Sequence, residues 1–484
     1  MLLNRPHLYK QGNEVMPAGS TAGSQKEETL LGWNIKRVFL VFFAIIPLIV
    51  HGQIITTVAG TGAFTSGSDG NPATATPLKK PGKVIVDDNG DLYIAETWAH
   101  KIRKVDYATG FVTTIAGTGV AGYNGDNIAA SSAQLYNPCG LALDVTGNLY
   151  VADGVNHRVR KINKSTGIIT TVAGNEYGAG GYGGFSGDLG PATAAELNAP
   201  GYIVFDKNQH LYISDHLNRR IRKVDIVSGI ITTYAGNGSS LYAGDGGVAA
   251  AASFSPEGIA FDKLGNLYIA DTNSAIRKID ASSNIISTVA GIGVFGYSGD
   301  GASATSAEIK WPFDISFNRN GTSFFIAEYG GRIRSVDVWG IIQTAAGTAT
   351  YGYNGDSIAA TNAKLNETTG IFVDTCDNLF IADASNGRIR KVTYNPFPCA
   401  SLSAHIVNTI KFDIYPNPAK DAINVDNIQG ASVYRLTNML GIIQQGTLKA
   451  SSNTISIQSL PTGVYLLEIS NNEGERTVMK IVKQ

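Results

Sequence analysis

The stretch Ile54-Ile55-Thr56-Thr57-Val58-Ala59-Gly60 returns five more times with small changes, its copies ending at Gly117, Gly174, Gly236, Gly291 and Gly347. Paired β-branched residues followed by a small residue and a glycine spell a short strand closed by a turn. A strand phrase repeated at intervals of 55 to 62 residues marks an array of like units, each unable to bury its apolar face alone, as in a propeller or solenoid.

Composition agrees with an all-β reading. Glycine occurs 56 times in 484 residues, usually beside Asn, Asp or Thr between apolar runs, which is the turn chemistry of many short strands. The formal net charge is -1 with 16% charged residues. Such a balance provides no basic field for nucleic acid or anionic lipid, so neither is an expected partner.

Residues 1–52 divide into a polar stretch and, after Lys36-Arg37, the apolar run Val38 to Val50 followed by His51-Gly52-Gln53. A basic pair, a short apolar run and a small residue read as a secretory signal peptide. The run is short for a transmembrane span of about 20 residues and contains Pro47, although an uncleaved anchor is the other reading.

Residues 53–396 carry the repeat. In the second copy, Leu141 to Asp144, Leu149 to Asp153, Arg158 to Ile162 and Ile168 to Gly174 read as four strands. Four antiparallel strands per repeat make a propeller blade. The second strand recurs from Leu92, Leu211, Leu267, Phe324 and Leu379, giving six three-strand units. Fourth strands also number six, but the first precedes every unit and the last unit lacks one. The expectation is a six-bladed ring in which Ile54 to Ala59 pairs with Arg388 to Val392, removing two exposed edges.

The phrases P-x-G-I-A-x-D, N-L-Y-I-A-D, N-x-R-I-R-K-V-D and G-I-I-T-T-V-A-G resemble NHL repeats. After a linker, 397–411, residues 412–484 open with Tyr415-Pro416-Asn417-Pro418, continue through Leu460-Pro461-Thr462-Gly463-Val464-Tyr465, and end in Lys480-Ile481-Val482-Lys483. This resembles the type IX secretion C-terminal sorting domain of Bacteroidota. The resemblance implies a small β-sandwich recognised by the type IX machinery, and a protein secreted or anchored at the outer surface.

Five connections between repeats carry aromatic-x-G-D, preceded by glycine except at Leu241: Tyr123 with Asp126, Phe185 with Asp188, Tyr242 with Asp245, Tyr297 with Asp300, and Tyr353 with Asp356. The first copy keeps Asp69 but has Ser66 in place of the aromatic. Ringed around one mouth, these residues would suit a sugar, and the carboxylates could take calcium. Equally, each aspartate could N-cap a short helix. An apolar residue nine positions later in every copy (Leu78, Leu135, Leu197, Phe254, Ile309, Leu365) fits packing. The acid ending each second strand and the arginine of each third strand recur six times, which suits turn capping and ion pairing between blades.

Function more often breaks a repeat than follows it. Three departures stand out: a glycine-rich insertion from Glu176 to Gly183; Trp311-Pro312-Phe313-Asp314 in place of a plain P-x-G; and His216 and Trp98 in the turns after second strands. His100 and His157 share one repeat position, which points to a turn role. G-x-S-x-G, H-E-x-x-H and C-x-x-C are absent. Of the three cysteines, Cys376 and Cys399 fall at one end of the last repeat, where an exported chain could bridge them. The expected function is a binding module for extracellular glycan or protein. The alternative, implied by six-bladed relatives, is a metal-dependent lactonase- or lyase-like enzyme.

Overall fold

A computed structural model describes residues 53–175, 183–394, 413–426, 432–438, 441–449, 451–471 and 476–484. The signal-peptide and linker readings, most of the glycine-rich insertion and Cys399 lie outside those residues.

Six antiparallel sheets of four or five strands occupy residues 54–393. Their inner strands are Pro81–Val86, Pro138–Leu143, Pro200–Phe205, Pro256–Phe261, Pro312–Phe317 and Thr368–Val373. Each touches the next and the sixth touches the first, so the sheets close a ring. In the sixth sheet the fourth strand is Ile54–Ala59, paired with Arg388–Thr393 so that Ile55 faces Val392 and Thr57 faces Arg390. The closure expected from the strand count is therefore present.

The repeated phrase has a residue-by-residue explanation. Ile55 and its equivalents Val112, Ile169, Ile231, Ile286 and Ile342 are fully buried. Gly60 has φ +92°, and a Cβ there would lie 2.2 Å from the Gly387 carbonyl oxygen, so only glycine can end the phrase. The apolar core lies between successive sheets: Tyr150, Ala152 and Val159 of the second pack against Ile203, Leu211 and Ile213 of the third. The residue nine positions after each loop aspartate is fully buried in all six copies, worth roughly 1.5–3 kcal/mol for each such side chain. The helix-cap expectation fails. The short 3-10 segments, such as Ala192–Ala194, have no side-chain cap, because the aspartates are engaged elsewhere.

The C-terminal unit has a three-stranded sheet (Asp413–Tyr415, Ala422–Asp426, Thr454–Ser456) and a four-stranded one (Ser432–Asn438, Gly441–Leu448, Gly463–Asn471, Arg476–Lys483). Ile423, Val425, Leu436, Leu467 and Ile481 form its core. Its two terminal motifs meet: Val482 N–H donates to Asn417 Oδ1 at 2.9 Å, and Lys483 Nζ donates to the carbonyls of Ile457 and Gln458.

Candidate functional site

The residues that repeat and those that do not are used differently. In all six sheets the third-strand arginine is fully buried: Arg103, Arg160, Arg222, Arg277, Arg334 and Arg390. One guanidinium nitrogen lies 2.6–3.0 Å from the loop aspartate, and the other lies 3.0–3.7 Å from the acid ending the second strand. These ion pairs lie within one sheet, not between blades as expected, because the incoming loop folds over the sheet it is about to enter. A buried cation needs such compensation.

The loop aromatics cover the same arginines. Guanidinium carbons lie 4.8–5.0 Å from the ring centres of Tyr123, Phe185, Tyr242, Tyr297 and Tyr353, a cation–π arrangement. In the first copy Ser66 instead donates to Glu96 at 2.9 Å. The second threonine of the opening phrase completes the clamp: Thr57 Oγ1 donates to Asp356 at 2.9 Å, tying the first strand to the sixth sheet. Burial pushes Asp153, Asp215, Asp271 and Asp383 up to about 6 and Glu328 up to about 7, against the pull of their hydrogen bonds and arginines. Burial also raises Asp300, but hydrogen bonds from Thr344 and Tyr297 and the Arg334 charge outweigh it and leave this carboxyl below its usual range. Among the described residues, no group of three or more His, Cys, Asp and Glu is arranged to hold a metal ion.

The loops and the turns after the second strands share one end of the ring, as Asn156 Nδ2 donates to the Gly122 carbonyl and Asn218 Nδ2 to that of Gly184. His100 and His157 sit in left-handed turn positions there and accept backbone hydrogen bonds from Asn137 and Ala199, the turn role expected. Trp311 belongs to a different arrangement, in which side chains from three consecutive sheets form an unbroken strip. Phe295 meets Trp311 (4.9 Å between ring centres), Trp311 meets Tyr329 (5.9 Å), and the Tyr329 hydroxyl donates to Glu367 at 2.6 Å. Glu367 pairs with Lys80, whose ammonium lies 5.1 Å from the Trp98 ring, and Trp98 meets Phe64 at 5.5 Å. Phe295, Trp311, Trp98 and Phe64 are each 45–51% exposed.

Across the mouth, His216 Nδ1 lies 3.2 Å from Glu257 Oε1. Burial raises the Glu257 carboxyl, opposed by the charges of His216 and Arg219. Cys139 is a free thiol that burial pushes up to about 12. Cys376 is disulfide-bonded. Beneath the mouth the channel is plugged. Lys83, Tyr202 and Asp314 of the first, third and fifth inner strands alternate with Gly140, Gly258 and Gly370 of the second, fourth and sixth. Lys83 pairs with Asp314 and donates to the Ile371 carbonyl at 2.9 Å, while the Tyr202 hydroxyl donates to the Thr369 carbonyl. A Cβ on Gly258 would lie 2.5 Å from Asp314 Cα, so the glycine makes room for its neighbour's side chain.

Comparison with known proteins meets this geometry from two sides. Residues 413–484 match the Secretion system C-terminal sorting domain family, and residues 120–181 match the Teneurin NHL domain. The NHL repeat-containing protein 2 of Gallus gallus is 25% identical over 408 residues, 78% of this chain and 54% of that protein. The ring is an NHL-repeat β-propeller. The chloroplastic protein SUPPRESSOR OF QUENCHING 1 of Arabidopsis thaliana is 29% identical to this NHL-repeat chain over 342 residues, 68% of this chain and 32% of the relative. The NHL-repeat chain thus spans between about a third and about half of these relatives' lengths. Two Bacteroides thetaiotaomicron structures share the fold. One, of unknown function, has a TM-score of 0.52 at 18% identity and covers 70% of this chain and 76% of its own. The other, titled an auxiliary nutrient binding protein, has a TM-score of 0.50 at 17% identity with the same coverages. The sorting domain directs the NHL-repeat propeller through type IX secretion to the cell surface or extracellular space. No helix among the described residues is long and apolar enough to cross a membrane.

Proposed function

We propose that this secreted propeller is a glycan-binding module whose site is the strip from Phe295 to Phe64. The carrying observation is the strip itself: four exposed aromatic rings at the fifth and first sheets, linked across the sixth through Tyr329, Glu367 and Lys80. Aromatic faces suit the apolar faces of sugar rings, and a carboxylate and an ammonium between them can accept and donate hydrogen bonds to hydroxyls. A linear strip fits an extended oligosaccharide better than a single sugar. Of the residues singled out in sequence, Trp311 and Trp98 lie in this site, and the loop aromatics and aspartates support the fold that presents it. Calcium is not needed, because the loop carboxylates already face arginines.

The test is a glycan array probed with the secreted chain, with and without chelator. Saturable binding that survives chelation and is lost in Trp311→Ala supports the reading; chelator-sensitive binding that survives Trp311→Ala contradicts it. One observation favours a second reading, a lactonase- or lyase-like enzyme at the same mouth: the buried Glu257 carboxyl beside His216, an acid and a base within reach of one another. Turnover in a lactone and lyase panel, abolished by Glu257→Gln, would favour it.

A further inference from the structure

The plug of Lys83, Tyr202 and Asp314 divides the central channel, and the half away from the aromatic strip is a separate cavity. It opens among the turns that follow the inner strands, where Asp87, Asp88, Asp144 and Lys164 form its rim, and has a volume of about 640 Å³. That volume lies within the usual range for small-molecule sites. All six inner strands line it, and two positions after each plug residue or its glycine equivalent they carry Ile85, Ala142, Val204, Ala260, Ser316 and Phe372. Five of the six are apolar. The strip presents exposed rings and charges, whereas the strand positions around this cavity are mostly hydrocarbon beneath a polar rim.

Its floor is polar in one place. Lys83 and Tyr202 both line the cavity. The Tyr202 hydroxyl is committed to Thr369, and Lys83 gives two of its N–H donors to Asp314 and to the Ile371 carbonyl. An ammonium has three donors, so one remains for an acceptor in the cavity. The Lys83 charge is already matched by Asp314, and three rim carboxylates stand against one rim ammonium. An anionic head group therefore meets net repulsion on entry and gains no unmatched cation at the floor.

We propose that this cavity is a second ligand site, for an uncharged, mostly hydrocarbon molecule bearing one carbonyl or similar acceptor oxygen that meets the Lys83 ammonium. The site is independent of the glycan reading, since the plug separates it from the strip. The test titrates the full chain with Nile red, a neutral apolar dye with a carbonyl, and with the anionic dye 1-anilinonaphthalene-8-sulfonate. The expected result is saturable Nile red binding at one site per chain, with the anionic dye at least tenfold weaker. Ala260→Phe, which fills the cavity, lowers Nile red affinity at least tenfold, whereas Trp311→Ala leaves it unchanged. Ala142→Phe, on another wall of the same cavity, repeats the test should the first variant fail to fold. Absence of saturable binding, binding indifferent to the filling substitution in a folded variant, or equal affinity for the anionic dye would each overturn the proposal.

Discussion

The clamp around each third-strand arginine and the strip across the mouth use the same residue types for opposite ends. Both combine aromatic rings, carboxylates and cations. In the clamp the rings lie on buried guanidinium groups and the carboxylates face arginine, and the arrangement recurs sheet after sheet. In the strip the rings are about half exposed; Lys80, Trp311 and Glu367 each stand directly before an inner strand, where the other three sheets carry Asn137, Ala199 and Ser255, so the arrangement occurs once. A feature present six times serves what every sheet needs; a feature present once is free to meet a ligand.

The contrast breaks most visibly at the clamp arginines. Arg222→Leu leaves Asp215 buried without its cation, and removing one partner of such a pair costs about 4 kcal/mol; a large fall in the thermal midpoint is expected, and an unchanged midpoint would remove the clamp from the account. Next comes Leu197→Ala, expected to cost about 3 kcal/mol by opening a cavity between the second and third sheets, read from denaturant unfolding.

A smaller effect concerns pH. Burial holds Asp153, Asp215, Asp271 and Asp383 at about 6 and Glu328 at about 7, above their values of roughly 4 in the unfolded chain. The folded state therefore binds more protons between those limits. Stability from these groups is fully present below about pH 4 and is lost as the pH rises through 6 to 7. Melting midpoints should fall across that window, and Glu328→Gln should flatten its upper part; an unaltered profile in that variant would show that Glu328 does not contribute. Smallest is Tyr297→Ala, which removes a ring from Arg332 and Arg334 and should cost about 1 kcal/mol without altering glycan affinity.

The ring was legible because its signals are local and repeated: a strand phrase, a turn glycine, an apolar residue at a fixed offset, and a strand count that required Ile54 to Ala59 to close the last sheet. The destination of the loop aspartates was not, since Asp188 meets Arg222 across 34 positions and a helix cap explained the same spacing. The strip was half visible. Trp311 and Trp98 stood out as breaks in the repeat, but Lys80 and Glu367, which join them, are distant in sequence and look like ordinary surface charges. The plug was missed although its signal was present: Lys83, Tyr202 and Asp314 stand where the other three repeats have glycine. Reading it required knowing that this position faces the channel.

The most direct measurement of the division between clamp and strip compares two double variants, Trp98→Ala with Trp311→Ala and Tyr297→Ala with Tyr353→Ala, for melting midpoint and for affinity to the glycan selected on the array. The account predicts that the tryptophan pair loses at least tenfold in affinity, as central aromatic contacts do, at an unchanged midpoint, and that the tyrosine pair melts earlier with affinity intact. Loss of affinity in the tyrosine pair at an unchanged midpoint would contradict it.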